Sequence, residues 1–460
     1  MPKKYTCLLL LLTAACTVGP DYEAPQIYED RQISQSLKLK GSGIKISQQW
    51  YEQFNDKNLN FLIETALKHN SELNAGIARL RQARITADIN RVKYLPVFNA
   101  AVKYDYAKAS KNIGLAADTN YFQLGLDASW ELDIWGAGRR LNEQSSAKFA
   151  SAMYSLRNLR VTITAETAKT YFALKTAQEQ LRIAQNNLKL QQDIYRTVKD
   201  KYNSGLTDIA DFNQAGYVTE TTKAAIPSLE YKIEAYKNAL AVLTGLLPQQ
   251  IDTGSNNPIK YAYKYNTELL YNLPSDIIRS RPDVKAAERN LAAQNAAIGQ
   301  AVAELYPDLS ISGLFGLQSS AGSKLFNSDS KAYGYIPSAV MPLFNWNKLQ
   351  NNIELQKQIK AETYEAYRQT LLQAVEELGN AITATQKEYA ANKARRTAVY
   401  RMRQAFEATR GKYQNGLIEF ADLLKTEQDL LQAETDLAAS NGAIYQNIIA
   451  FYKATGGGYN

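Results

Sequence analysis

Few side chains in this chain have the types and spacing that catalysis requires. A single histidine, His69, lies in the polar run Lys68-His69-Asn70 inside a helical pattern, where one imidazole without a partner reads as plain surface. No cysteine cluster, glycine-rich phosphate loop or nucleophile motif occurs. The carboxylate pair Glu376-Glu377 falls in a charged helical stretch and reads as solvated helix surface. These features argue against an enzyme, and neither a metal nor a bound cofactor is expected.

Chemistry of another kind is written at the N-terminus. Lys3 and Lys4 precede the apolar run Leu8 to Leu12, and Thr13-Ala14-Ala15 then lead into Cys16, the pattern of an export signal over residues 1–15. The apolar run is too short to span a bilayer as a helix. The string ending in Cys16 resembles a bacterial lipobox, in which the thiol takes a diacylglycerol and the new amino terminus an N-acyl chain. Cys7 leaves with the signal, so no thiol remains to pair with Cys16, which favours lipidation over a disulfide. Thr17 follows, and not the Asp that holds such lipoproteins at the inner membrane.

The rest of the chain is written twice. Shifting it by 211 positions lays Tyr94-Leu95-Pro96 on Leu305-Tyr306-Pro307, Trp135 on Trp346, and Lys201-Tyr202-Asn203-Ser204-Gly205-Leu206 on Lys412-Tyr413-Gln414-Asn415-Gly416-Leu417. Loops tolerate insertions, so one constant offset implies a duplicated half-domain with matched element lengths. The resulting divisions are an extended N-terminal segment (16–58), repeat 1 (59–246), a linker (247–275), repeat 2 (276–456) and a tail (457–460). With 45% hydrophobic and 21% charged residues the composition is that of a folded protein. The net charge of +8 is dispersed among acidic residues, so no nucleic-acid partner is expected.

Each repeat follows one plan. Helical spacing without proline runs from Leu59 to Val92 and stops at Pro96. Phe98, Ala100, Val102, Tyr104 and Tyr106 then alternate with Asn99, Lys103 and Asp105, and a second alternating strand runs from Phe122 to Leu132. Each strand has about ten residues, enough to cross a bilayer when tilted, and the apolar face carries aromatics. The pattern returns in repeat 2 from Leu309 to Leu317 and from Tyr333 to Leu343, the last strand interrupted by Pro337 and Pro342. A helix without Gly or Pro follows from Arg139 to Tyr202, a rod of about 95 Å. Leu174, Leu181, Leu188, Tyr195 and Tyr202 fall seven apart along it, the spacing of a coiled-coil seam. Gly205 caps the rod, and a helix returns from Asp208 until Pro227 breaks it. Repeat 2 matches this from Leu349 to Tyr413, with Gly416 as its cap and Asn441-Gly442 as the weak point of the returning helix. Four strands cannot close a barrel, and an open edge is forbidden in lipid, so a dimer with eight strands or a trimer with twelve is required.

Several strings carry a family resemblance. Cys16-Thr17-Val18-Gly19-Pro20-Asp21-Tyr22, Trp130-Glu131-Leu132-Asp133, Trp135-Gly136, Leu273-Pro274-Ser275-Asp276, Arg281-Pro282-Asp283, Ala287-Glu288-Arg289-Asn290-Leu291 and Ala297-Ile298-Gly299 stand in the order seen in the TolC-type outer membrane efflux proteins. The chain resembles the lipoprotein branch of that family over nearly its whole length. The resemblance implies an internally duplicated α+β membrane protein, with four strands per chain in a trimeric 12-stranded outer membrane β-barrel. Long antiparallel helices would form a periplasmic α-barrel that meets a periplasmic adaptor and an inner membrane RND-type pump. It also implies a constriction at the helix tips near Gly205 and Gly416. Of the two acidic positions usual there, one corresponds to Asp422 and the other to Lys425, a charge reversal that would pair with Asp422 or set a cationic ring beside an anionic one. Of the tip-locking contacts, Tyr413 and Asp211 match, while the usual arginine falls at Ile418. The implied function is passive export of small molecules. The exit duct of a type I protein secretion system shares the architecture, and a lipid-anchored periplasmic coiled-coil scaffold is the reading from another class.

Overall fold

The structure, a computed structural model, describes residues 17–41, 46–108, 110, 112, 119–251, 270–274 and 276–459. Cys16 and most of the inter-repeat linker lie outside the described residues. The elements in chain order are α1 (Asp30–Leu37), α2 (Lys57–His69), α3 (Ser71–Val92), β1 (Val97–Ala107), β2 (Thr119–Leu132), α4 (Ala137–Asn203) and α5 (Ile209–Thr244). They continue with α6 (Ile277–Ser280), α7 (Pro282–Ala303), β3 (Asp308–Ser319), β4 (Lys331–Val340), α8 (Trp346–Gln414) and α9 (Phe420–Ala454). They fall into two compact units. The first comprises Met1–Pro25, Arg79–Met153 and Ala286–Arg368, and the second Gln26–Ala78, Tyr154–Lys285 and Gln369–Asn460.

The first unit contains the sheet. Its order is β1-β2-β3-β4, every pair antiparallel, so β1 and β4 are both edges. The register sets Phe98 opposite Ala128, Leu126 opposite Phe315, and Phe315 opposite Tyr333, so one face is continuously apolar. That face is bare: Phe98 is 70% exposed and Tyr333 84%. A soluble sheet would have covered it, whereas lipid leaves it as it is. The opposite face is polar, with Lys103 Nζ 3.3 Å from Asp127 Oδ2, Tyr121 donating to Asp105 at 3.3 Å and Gln318 to Gln123 at 3.2 Å. Gly125 and Gly316 pair on that face so closely that a Cβ on Gly316 would lie 2.6 Å from the Gly125 Cα. Strand β4 ends at Val340, short of the Leu343 expected, because Pro342 has no N–H to continue the ladder. Pro337 is tolerated inside it, opposite Ile311, because β4 is an edge.

The N-terminal chain straps this unit together. Arg140, almost fully buried, donates to the Val18 and Gly19 carbonyls at 3.1 and 3.0 Å and to Asp21 at 2.9 Å, while Asn295 donates to the Pro20 carbonyl at 2.9 Å. Thr17 lies against Gly136, where an added Cβ would fall 2.9 Å from the Thr17 Cγ2 and φ is 83°.

In the second unit, α2 buries Leu59, Leu62, Ile63 and Ala66, and Trp50 stacks on Tyr452 with ring centroids 5.0 Å apart. Phe172 stacks on Tyr445 at 4.2 Å. Arg281, its side chain 7% exposed, donates to Asp283 and Glu377 at 2.7 Å each and to the Ala454 carbonyl at 2.9 Å. Glu377 is thus a partner of a buried guanidinium and not idle helix surface. His69 is exposed at the end of α2.

Three further expectations change. The single helix Leu59–Val92 is two helices, because Asn70 leaves helical geometry with ψ 125°, donates to the Leu243 carbonyl at 2.8 Å and accepts from the Leu73 N–H at 2.9 Å. Pro227 does not break the returning helix, since α5 runs through it to Thr244. The proline sits on an exposed face, where solvent can satisfy the freed carbonyl. The N-terminal segment 16–58 is not extended throughout, as α1 forms there behind a capping box in which Gln32 accepts from the Glu29 N–H at 3.1 Å.

Candidate functional site: the helix-hairpin tips

The two hairpins α4/α5 and α8/α9 turn in the same way. After α4, Gly205 at φ 71° donates to the Tyr202 carbonyl at 3.0 Å and Leu206 to Lys201 at 2.8 Å. After α8, Gly416 at φ 74° donates to Tyr413 and Leu417 to Lys412, both at 3.0 Å. These paired bonds close the helix ends in a left-handed cap that glycine adopts without strain. Leu206 and Leu417 follow the caps and are largely exposed. Asp208 begins α5 by accepting from the Asp211 N–H at 2.9 Å, and the Asp211 carboxylate accepts from the Thr207 hydroxyl.

One apolar cluster joins all four helices at this end. It contains Ile194 and Val198 of α4, Ala215 and Val218 of α5, Phe406 and Tyr413 of α8, and Phe420, Leu423 and Leu424 of α9. Tyr202 stacks on Phe212 with centroids 5.2 Å apart and Tyr195 on the same ring at 5.4 Å, so the end of the heptad row seats the returning helix. Ile418, where the resemblance expected arginine, packs against the cluster.

The structure brings the expected residues together only in part. Tyr413 is 6% exposed, with Lys201 Nζ 4.0 Å from its ring centroid and donating to its carbonyl at 3.3 Å. Its hydroxyl has no hydrogen-bond partner among the described residues, so no bond joins it to Asp211. Burial, and then the nearby Asp211 charge, raises the Tyr413 pKa. Asp422 and Lys425 are both exposed on the first turns of α9 and make no ion pair with each other or with any other described residue, while Leu423 and Leu424 between them turn into the cluster. Lys201, Gln191 and Glu427 were not anticipated from the sequence. Lys201 stands in the same repeated string as Gly205, which was the signal available for it.

A bare apolar sheet face with two open edges, attached through one chain to long Gly-capped helical hairpins, defines a membrane-channel subunit. A profile described as outer membrane efflux protein matches residues 62–246 and 273–457, and those stretches (62 to 273, 246 to 457) are themselves offset by 211. The chain belongs to the outer membrane efflux protein family. It is 27% identical to the cation efflux system protein CusC of Escherichia coli O6:H1 over 98% of each chain. Its fold matches the outer-membrane channel OprN with a TM-score of 0.89 at 30% identity, over 96% of this chain and 100% of that one. It matches the Campylobacter jejuni CmeC channel with a TM-score of 0.86 at 25% identity, over 96% and 95% of the two chains. The protein is therefore the outer membrane exit duct of a tripartite efflux system and not an enzyme. Three chains close a 12-stranded β-barrel and a periplasmic helical tunnel that works with an adaptor and an inner membrane RND-type pump.

Proposed function

We propose that the duct exports small molecules through a periplasmic constriction ringed by Asp422, with the tips at Gly205 and Gly416 as the adaptor-docking and gating end. The observation that carries this reading is the direction of the side chains on α9. Leu423 and Leu424 anchor the helix in the tip cluster, so Asp422 and Lys425 point away from it into open space. Three copies of one carboxylate around a narrow axis attract cations, and Lys425, one turn along without a carboxylate partner, offsets that field where it also faces the axis. Passage needs no binding site, because width and charge select and the pump chooses the cargo. The similar proteins are named for cation efflux, pyoverdine export and solvent efflux, a range that supports small-molecule cargo over secreted protein. Cys16 carries the lipid in this reading, supported by the strap that holds Thr17 against Gly136, four residues after β2 ends.

Single-channel recording of the purified trimer in planar bilayers tests the constriction. Asp422→Ala should lower cation selectivity, and Lys425→Ala should raise it if both residues line the pore. Unchanged conductance and reversal potential in both variants would make Asp422 a plain surface residue.

A further inference from the structure

The apolar junction between the two hairpins holds a buried carboxyl group. Glu427 of α9 is 2% exposed, and its Oε1 has no hydrogen-bond partner among the described residues. Gln191 of α4 is 4% exposed, neighbours Glu427 across the junction, and also has an unpartnered Oε1. Two buried acceptor oxygens without a donor are costly, and a proton on Glu427 removes the deficit for both by donating from the carboxyl O–H to the amide oxygen.

Among the described residues no charge compensates Glu427. On α4, Asp193 and Arg196 pair with each other at 2.6 Å on the exposed side, and Lys189 is exposed. On α5, Glu220 pairs with Lys223 in solvent, and on α8 Arg403 engages Glu434 while Glu407 is exposed. On its own helix, Asp422, Lys425 and Asp429 all face outward. Burial alone, partly countered by Gln191, pushes the Glu427 pKa up from 4.5 to about 7.

The duplication shows that the fold does not demand this pair. At the offset of 211, Glu427 corresponds to Gly216 and Gln191 to Met402, so neither residue of the matching pair is titratable. We propose that Glu427 and Gln191 form a proton-binding site that latches the α8/α9 hairpin onto the α4/α5 hairpin, and that losing the proton unlatches the tip. This rests on the reading of the tips as the gate.

The sign follows from linkage. The closed junction binds the proton more tightly than an open one in which water reaches the carboxyl, so closure is strongest at low pH. It weakens as pH rises between 4.5 and about 7 and levels off above. Between about pH 5 and about pH 8 the closed-to-open ratio should fall by roughly tenfold to a hundredfold per chain.

Open probability of the full-length trimer in planar lipid bilayers reads this directly. The wild type should open at least about tenfold more often at the high end of that range than at the low end. Glu427→Gln, which keeps shape and hydrogen bonding without the charge, should stay closed at every pH, and Glu407→Gln, at an exposed position of α8, should keep the wild-type pH response. Infrared spectra of the same trimer should show a protonated-carboxyl band that titrates in the wild type and is missing in Glu427→Gln. A missing band in the wild type, or a Glu427→Gln trimer that opens with the wild-type pH profile, overturns the proton site. A titrating band without pH-dependent opening overturns the latch by removing the gating reading beneath it, while the proton site stands.

Discussion

Replacing Gly442 by alanine measures how closely α9 crosses α4. An added Cβ would lie 2.3 Å from Thr176 Oγ1 and 3.0 Å from its Cγ2, about 1 Å short of an ordinary contact. Thr176 cannot simply turn aside. Its hydroxyl donates to the Phe172 carbonyl at 2.8 Å, and Phe172 is fixed by its stack on Tyr445. Forcing the helices apart should cost about 2–3 kcal/mol per chain, the upper part of the range for overpacked cores. Alanine returns up to about 1 kcal/mol through its better helix propensity, so a net loss of roughly 1–2 kcal/mol per chain is expected. The assay is the temperature at which the purified trimer dissociates, followed on denaturing gels and by far-ultraviolet circular dichroism. Thr176→Ala in the same chain removes both clashing atoms and should bring the double variant back toward the wild type. A Gly442→Ala trimer as stable as the wild type would refute the reasoning. So would a destabilised one that Thr176→Ala fails to rescue.

Gly416→Val strains the backbone instead, since open space surrounds the position but φ is 74°. A cost of about 1–2 kcal/mol confined to the tip should impair docking or closure while the trimer still assembles, and normal efflux at full expression would place docking elsewhere. Tyr413→Phe removes a buried hydroxyl that has no hydrogen-bond partner among the described residues and keeps the Lys201 contact, so stability should hold or rise by up to about 1 kcal/mol and resting conductance should not increase. A leaky Tyr413→Phe channel would show that the hydroxyl locks the tip after all.

Much of the fold was legible because its signals are local. Alternation over β1 and β2, the absence of Gly and Pro from Arg139 to Tyr202, and glycine at 205 and 416 follow from strand period, helix propensity and left-handed geometry. The misreadings share a cause. Asn70 is ambiguous until its side chain finds the Leu243 carbonyl, Pro227 breaks a helix only where its freed carbonyl cannot be solvated, and Gly442 looked weak because Thr176 is remote in sequence. The tip residues divided the same way. Asp422 could be placed at the start of α9 from the repeat, but Ile418 in the cluster and Tyr413 under Lys201 depend on packing between hairpins.

By itself the sequence determined the duplication, the unbroken span of the long helices, the bilayer-spanning alternation and the need for partner chains, because each follows from composition and period along one segment. Tertiary structure alone decided which charges stay in water. Asp422 and Glu427 are both acidic residues on one helix, five positions apart, and nothing in their neighbours separates them. Only the approach of α4, bringing Gln191 and the apolar cluster, buries one and leaves the other exposed, and desolvation then sets what each can do.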